Sequence, residues 1–199
     1  MRAVRLMRFT LLPAFVAAWG LSGCGKDNLV KPPDPPGPGS AYLVRSTPQN
    51  VLTDLEIAYS HRDSTETKAL YDSSYVGTSQ DLNDPPGTTP LSFTYSDEIA
   101  HVAALARSTT ISSISLDLGP SASWNRLESN DPSHPEWAVI QIAGSGFKVE
   151  CTDGPNTWQA SGSYEFFELM FKPATPESTS PTDTLWTIVK WQEVRAAGL

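Results

Sequence analysis

Residues that usually carry chemistry are scarce in this chain. Three histidines and two cysteines stand among 199 residues. No His-x-His, His-Glu-x-x-His or paired-cysteine spacing occurs, which removes the common zinc sites. Nor is there a Gly-x-Ser-x-Gly elbow to present a serine nucleophile. Asp81-Leu82-Asn83-Asp84 has the start of a calcium loop but neither its glycine nor its closing glutamate. Gly144-Ser145-Gly146 has no helix after it, so it reads as a hairpin turn between strands rather than a phosphate cradle. No metal or cofactor is expected. Charge is thin and one-sided: 18% of residues are charged, 14 basic against 22 acidic. An acidic surface repels phosphate backbones, which argues against nucleic acid as a partner. No apolar run approaches the roughly 20 residues of a membrane-spanning helix.

The longest apolar run, Phe9 to Leu21, does have a distinctive setting. Arg2, Arg5 and Arg8 precede it, and Leu21-Ser22-Gly23-Cys24 follows. A basic start, a short apolar core and small residues before a break make an export signal. The tetrapeptide LSGC resembles the lipobox of bacterial lipoproteins. That resemblance implies cleavage before Cys24, a diacylglyceryl group on its sulfur, and a protein held on a membrane of the cell envelope. Gly25 after the modified cysteine resembles outer-membrane cargo in cells with two membranes. Removing residues 1–23 leaves 11 basic and 22 acidic side chains, a formal charge of −11.

Residues 24–41 contain KPPDPPGPGS, a composition that favours extended polyproline conformations and serves as a semi-rigid tether. The domain is expected over 42–199, a length that supports one hydrophobic core. With Cys24 lipidated, Cys151 has no partner for a bridge. The alternation of Val149-Glu150-Cys151-Thr152 predicts a strand, and the thiol reads as a small buried apolar group.

Thr47-Pro48 predicts a helix start, with Thr47 as N-cap and Pro48 at the first helical position. Val51, Leu52, Leu55, Ala58 and Tyr59 then recur at three and four. Asp63, with Glu66 three residues on, predicts the cap of a second short helix whose buried side carries Ala69 and Leu70. Tyr75-Val76 opens a strand before the Pro-rich loop 81–90. Ser96 reads as the cap of a third helix, with Ile99, Val102, Ala103 and Ala106 on one face. Beyond it the period changes to two: Ile114, Leu116 and Leu118 alternate with polar residues. Strands follow over Trp137–Ala143, Gly146–Thr152, Trp158–Lys172 and Leu185–Val194, with 173–181 as a loop. Helices first and strands after them predict an α+β fold, helices covering one face of an antiparallel sheet.

The stretch Thr47–Tyr59 followed by His61-Arg62-Asp63, then Tyr71, then the closing Trp186-Thr187-Ile188-Val189-Lys190-Trp191-Gln192-Glu193, is similar to the NTF2-like (SnoaL-like) superfamily. The shared elements are a first helix ending in Tyr-x-x-Arg-Asp and a last strand of W-x-I-x-x-W-x-(E/D) type. The resemblance covers residues 46–194 and implies a cone-shaped α+β fold. It implies little about function, because this superfamily includes isomerases, dehydratases, cyclases and domains without chemistry. Many members dimerise through the open sheet face, which makes the aromatic-rich strand 163–171 a candidate homodimer surface.

Enzymes on this fold use a carboxylate or histidine lining the cone as general base, and a tyrosine or second acid at the developing oxyanion. His61 and His134 read as solvated surface. His101, beside the apolar face of the third helix, is the one histidine placed near the cone. Glu165 and Glu168 point to opposite sides of their strand, and the pattern does not say which side faces inward. Trp186 and Trp191, five apart, are expected on opposite faces of theirs. The catalytic candidates are therefore His101 or Glu168 as base, with Tyr59 or Tyr71 as donor. Against them stands a non-catalytic envelope module that binds a small ligand in the cone or another protein. An ionisable group within about 3 Å of a second polar group inside the cone separates the two readings.

Overall fold

The computed structural model describes residues 41–79, 88–161, 166–174 and 184–194. Cys24, the leader, the tether up to residue 40, Asp81–Asp84 and Glu165 lie outside the described residues. The first helix, α1 (Pro48–His61), starts as its sequence dictates: Thr47 is extended and accepts the Asn50 amide at 3.2 Å. Its inward face carries Val51, Leu52, Leu55 and Ala58, all fully buried. It ends at Arg62, in the left-handed region at φ 55°. There the Asp63 amide reaches back to the Ala58 carbonyl and that of Arg62 to Tyr59, a Schellman-type closure. Asp63 at once caps α2 (Ser64–Leu70), accepting the Thr65 and Glu66 amides at 3.0 Å each. Thr67 and Leu70 form its buried side, while Ala69 is only half-buried.

Strand β1 (Tyr71–Ser79) follows directly, four residues earlier than the sequence suggested. After β2 (Leu91–Thr94) comes α3 (Tyr95–Arg107), capped by Thr94 and not by Ser96. The reason is a reciprocal box: the Asp97 amide donates to Thr94 Oγ1 while the Thr94 amide and hydroxyl donate to Asp97 Oδ2 at 2.9 and 2.7 Å. The remaining elements are β3 (Ile111–Asp117), β4 (Asn125–Glu128), β5 (Ala138–Ala143), β6 (Lys148–Asp153), β7 (Asn156–Ser161), β8 (Phe166–Ala174) and β9 (Leu185–Val194).

Nine strands make two sheets among the described residues, β2-β1-β9-β8-β5-β4 and β3-β6-β7. Helices pack on a mostly antiparallel sheet system, the α+β class expected. One pairing departs from it: β1 runs parallel to β9. The expected strand 158–172 is two strands in different sheets, β7 and β8. Likewise Gly144–Gly146 is a 3₁₀ turn linking β5 to β6, which belong to different sheets, so it is not a hairpin turn. β2 and β4 left no trace in the sequence because both are four-residue edge strands with largely exposed side chains.

The main core joins α1, Leu116 and Leu118 to Ile140 and Ile142 of β5 and to Phe167, Leu169 and Phe171 of β8. Each such side chain contributes roughly 1.5–3 kcal/mol by burial. A smaller patch on the other face of the large sheet gathers Val139, Met170 and Val189 under Trp137. β8 thus buries Phe167, Leu169 and Phe171 on one face and Met170 on the other. Trp186 and Trp191 do not fall on opposite faces: both pack on the main core. A β-bulge explains it. Met170 pairs with Lys190 but Phe171 with Ile188, so Val189 is an extra residue that resets the alternation.

Candidate functional site

A partly open cavity of about 170 Å³ lies where α1, β1, α3, β3 and β9 converge. Leu55 and Tyr59, four apart on α1, supply one wall, since residues at that spacing share a helix face. Strand β1 contributes Tyr71, Tyr75, Gly77, Thr78 and Ser79. The rings of Tyr71 and Tyr75 meet edge to face at 4.7 Å. Gly77 leaves room for a close approach: a Cβ there would stand 2.5 Å from the Tyr75 hydroxyl. Phe147 stacks on Phe167 at 4.2 Å and meets Trp191 edge-on at 5.9 Å, which fixes the aromatic wall.

The polar end belongs to Glu98, in the first turn of α3. Its Oε1 accepts the Tyr59 hydroxyl at 2.9 Å and the Tyr71 hydroxyl at 3.5 Å. Burial, then the neighbouring Glu98 charge, pushes both phenols well above the usual tyrosine range. They remain protonated donors at any physiological pH. Glu193, two residues past Trp191, is the second carboxylate on the wall and accepts the Ser79 hydroxyl at 2.7 Å. No lysine, arginine or histidine is among the described residues lining this cavity.

Of the residues singled out from sequence, Tyr59 and Tyr71 are thus brought together, and His101 and Glu168 are not. His101 is exposed on α3. Glu168 is buried on the opposite sheet face beside Met170, where the Gln141 amide donates to it at 3.1 Å and that of Asn130 at 3.5 Å. The apolar pair Phe167 and Leu169 took the inward face, which turned Glu168 outward. His61 is exposed, and His134 stacks on Trp137 at 4.1 Å. Cys151 is half-buried on β6, its thiol pushed up by burial and then by Asp153, so it stays protonated and weakly reactive.

The carboxylates in the cavity, Glu98 and Glu193, were missed. Glu98 in the first turn of a helix has a sufficient local explanation in the helix dipole. A finer signal was present: Glu98 lies four residues before buried Val102, on the same stripe. Glu193 alternates with Trp191, which places both on one side of β9.

The motif Tyr59-x-x-Arg62-Asp63 divides its work. Tyr59 faces the cavity and Asp63 caps α2 while accepting the Tyr42 hydroxyl at 2.9 Å. Arg62 turns the other way. Its guanidinium donates to the carbonyls of Leu105 at 2.7 Å, Ala106 at 3.0 Å and Ile111 at 2.7 Å, and also to that of Ser108. It therefore caps the C-terminus of α3 and the start of β3 together.

No protein-family model matches the chain, and no curated protein sequence matches it. Solved structures do resemble it in outline. A candidate calcium/calmodulin-dependent protein kinase type II association domain from Thiobacillus denitrificans is 9% identical, with 77% of this chain and 98% of that one covered and a TM-score of 0.40. Bd1075 of Bdellovibrio bacteriovorus is 10% identical over 74% of this chain and 39% of its own, also at 0.40. AusH of Aspergillus nidulans is 10% identical over 77% and 88%, at 0.39. Likeness at this level says nothing about chemistry.

Proposed function

We propose that this chain is a lipid-anchored protein of the cell envelope, held through Cys24, on the outer membrane where the cell has two. Its α+β domain acts there as a non-catalytic module that binds a small ligand in the cavity of Tyr59, Tyr71 and Glu98. The basic-apolar-LSGC leader and the Pro-rich tether support the anchoring. One observation carries the binding role: the phenolic protons of Tyr59 and Tyr71 are both directed at Glu98 Oε1. Donors engaged in that way are not free to meet an oxyanion, and the acid–base pair closes on itself. What remains is a partly open aromatic surface with a fixed polar end, the usual make-up of a ligand site.

A second reading has the same contact in its favour. A carboxylate 2.9 Å from a phenol inside a cavity meets the geometric requirement for acid–base work. In that reading the domain is an isomerase, dehydratase or hydrolase with Glu98 in the role first given to Glu168 or His101. Native mass spectrometry of protein isolated from host membranes tests both. The binding reading expects a retained small molecule whose mass is unchanged after prolonged incubation. A retained molecule that changes mass supports the enzyme, and protein that never carries one defeats the binding module. For the anchor, the N-terminal peptide is expected to begin at a diacylated Cys24, and Cys24→Ala to release the protein from the membrane fraction. An unmodified Cys24 thiol in membrane-derived protein would overturn that part.

A further inference from the structure

We propose that residues 41–46 form a latch on α1 and α2 that closes when Asp54 carries a proton and opens when it ionises. The segment bonds to both helices and to the start of β9. Tyr42 donates to Asp63 Oδ2 at 2.9 Å, and the Leu43 amide donates to Asp54 Oδ1 at 2.7 Å. Asn50 donates to the Val44 carbonyl at 2.7 Å, and the Arg45 guanidinium donates to the carbonyl of Ala69. The Arg45 carbonyl accepts the Trp186 amide at 2.9 Å, two residues before β9 begins its pairing with β1 at Ile188. Arg45 is thereby buried, while Leu43 and Val44 are exposed. The segment is a thin cover held by polar contacts, with no core of its own.

Asp54 lies under this cover. Its carboxyl is fully buried, and Oδ2 has no hydrogen-bond partner among the described residues. A bare carboxylate oxygen in such a place is costly, and a proton on it removes most of that cost. The charged and titratable groups facing it are Arg45 and Tyr42 from the segment and Glu66 from α2. His61 meets the Tyr42 ring edge-on at 6.4 Å. Burial is the largest influence on Asp54 and lifts its pKa from 3.8 to about 6. Once the segment lifts, water reaches the carboxyl and the pKa returns toward its ordinary value. A closed-state pKa above the open-state one makes the latch tightest below about pH 4. It loosens as pH rises to about 6 and is level beyond. The gap between the two values sets the ceiling, a weakening of closure by about a hundredfold. Opening frees six residues, roughly 20 Å of extended chain. That gain in tether length rests on the anchored reading above, whereas the latch itself does not.

Hydrogen exchange of the full-length protein in detergent, read by mass spectrometry from pH 4.5 to 7, tests the latch. Rates are divided by those of the same peptides unfolded, which cancels the intrinsic dependence on pH. Peptides covering 42–46 and Trp186 are expected to exchange while β8 remains protected. They should lose tenfold or more of their protection over that range. Asp54→Asn, a neutral isostere, should remove the slope, and Glu66→Gln and His61→Gln should each keep it. Protection that does not fall with pH overturns the latch. Exchange only in step with β8 overturns it too, because the opening is then global. A slope that survives Asp54→Asn, or vanishes in Glu66→Gln or His61→Gln, overturns Asp54 as the switch. If Asp54→Asn fails to fold, carboxyl NMR of the unaltered protein carries the test. Titration of Asp54 near pH 6 supports the switch, and titration in the ordinary aspartate range overturns it. None of these readings depends on lipid at Cys24, so the anchor and the latch fail separately.

Discussion

Two polar clusters lie less than one helical turn apart on α1, and they are built on opposite plans. Around Arg62, each donation from the guanidinium meets a main-chain carbonyl of α3, its flank or β3. Around Tyr59, two phenols converge on one carboxylate oxygen, and a second carboxylate stands on the same wall. The first cluster closes orphan carbonyls at a helix end and ties three elements together. The second sets two carboxylates on the wall of a space. Donors spent on main-chain carbonyls mark architecture, whereas ionisable and phenolic groups gathered around a cavity mark a place for something else.

The sharpest way to break this contrast is Arg62→Ala. Loss of charged hydrogen bonds to several carbonyls should cost on the order of 3 kcal/mol or more, measured by urea unfolding. Arg62→Lys should recover little, because an ammonium cannot reach several carbonyls from one plane. A loss below about 1 kcal/mol would reduce the hub to surface decoration.

Next in size is a pH effect at Asp54, fully buried on α1. Oδ1 accepts the Leu43 amide at 2.7 Å, while Oδ2 has no hydrogen-bond partner among the described residues. Burial raises its pKa from 3.8 to about 6, and the Leu43 bond only partly opposes this. A folded-state value above the unfolded one means the native state binds the extra proton between about pH 4 and 6. Stability from this group is therefore fullest below pH 4, falls as pH rises to about 6 and is level beyond. The change is on the order of 2 kcal/mol. Asp54→Asn keeps the bond to Leu43 and should flatten that slope in thermal melts at pH 4 to 7. An unaltered slope would place the titration elsewhere.

Smaller still, Tyr59→Phe removes one phenol from Glu98 and should cost about 1 kcal/mol. If it matched Arg62→Ala, the cavity would be part of the scaffold and the contrast would fail. Comparable in size is Gly77→Ala, expected at about 1 kcal/mol, because the Tyr75 hydroxyl is fixed to its ring and the buried ring must shift with it. The shift should also lower the fraction of isolated protein that carries the retained small molecule, since Tyr75 lines the cavity. An unchanged fraction would remove Tyr75 from the wall.

Local signals carried the parts of the fold that local physics controls. Thr47-Pro48 and Asp63 start their helices as read, Ile114, Leu116 and Leu118 are buried in alternation, and β9 has the bounds expected. The misses depend on distant partners. Ser96 has the chemistry of a cap, but Thr94 and Asp97 box each other and start the helix earlier. Glu168 and Glu98 could be told apart only by which sheet face Phe167 and Leu169 occupied, and by tyrosines 39 and 27 residues away in the chain. No window of sequence holds both halves of such a contact.

One inserted residue, Val189, decides which way the end of the last strand looks. Were it drawn into regular pairing, by a one-residue slip of the strand end past β8, Trp191 and Glu193 would turn to the outside. The hollow would lose a ring and a carboxylate in one stroke, with no change of sequence at all. A single unpaired residue that touches no ligand thus keeps the wall in place.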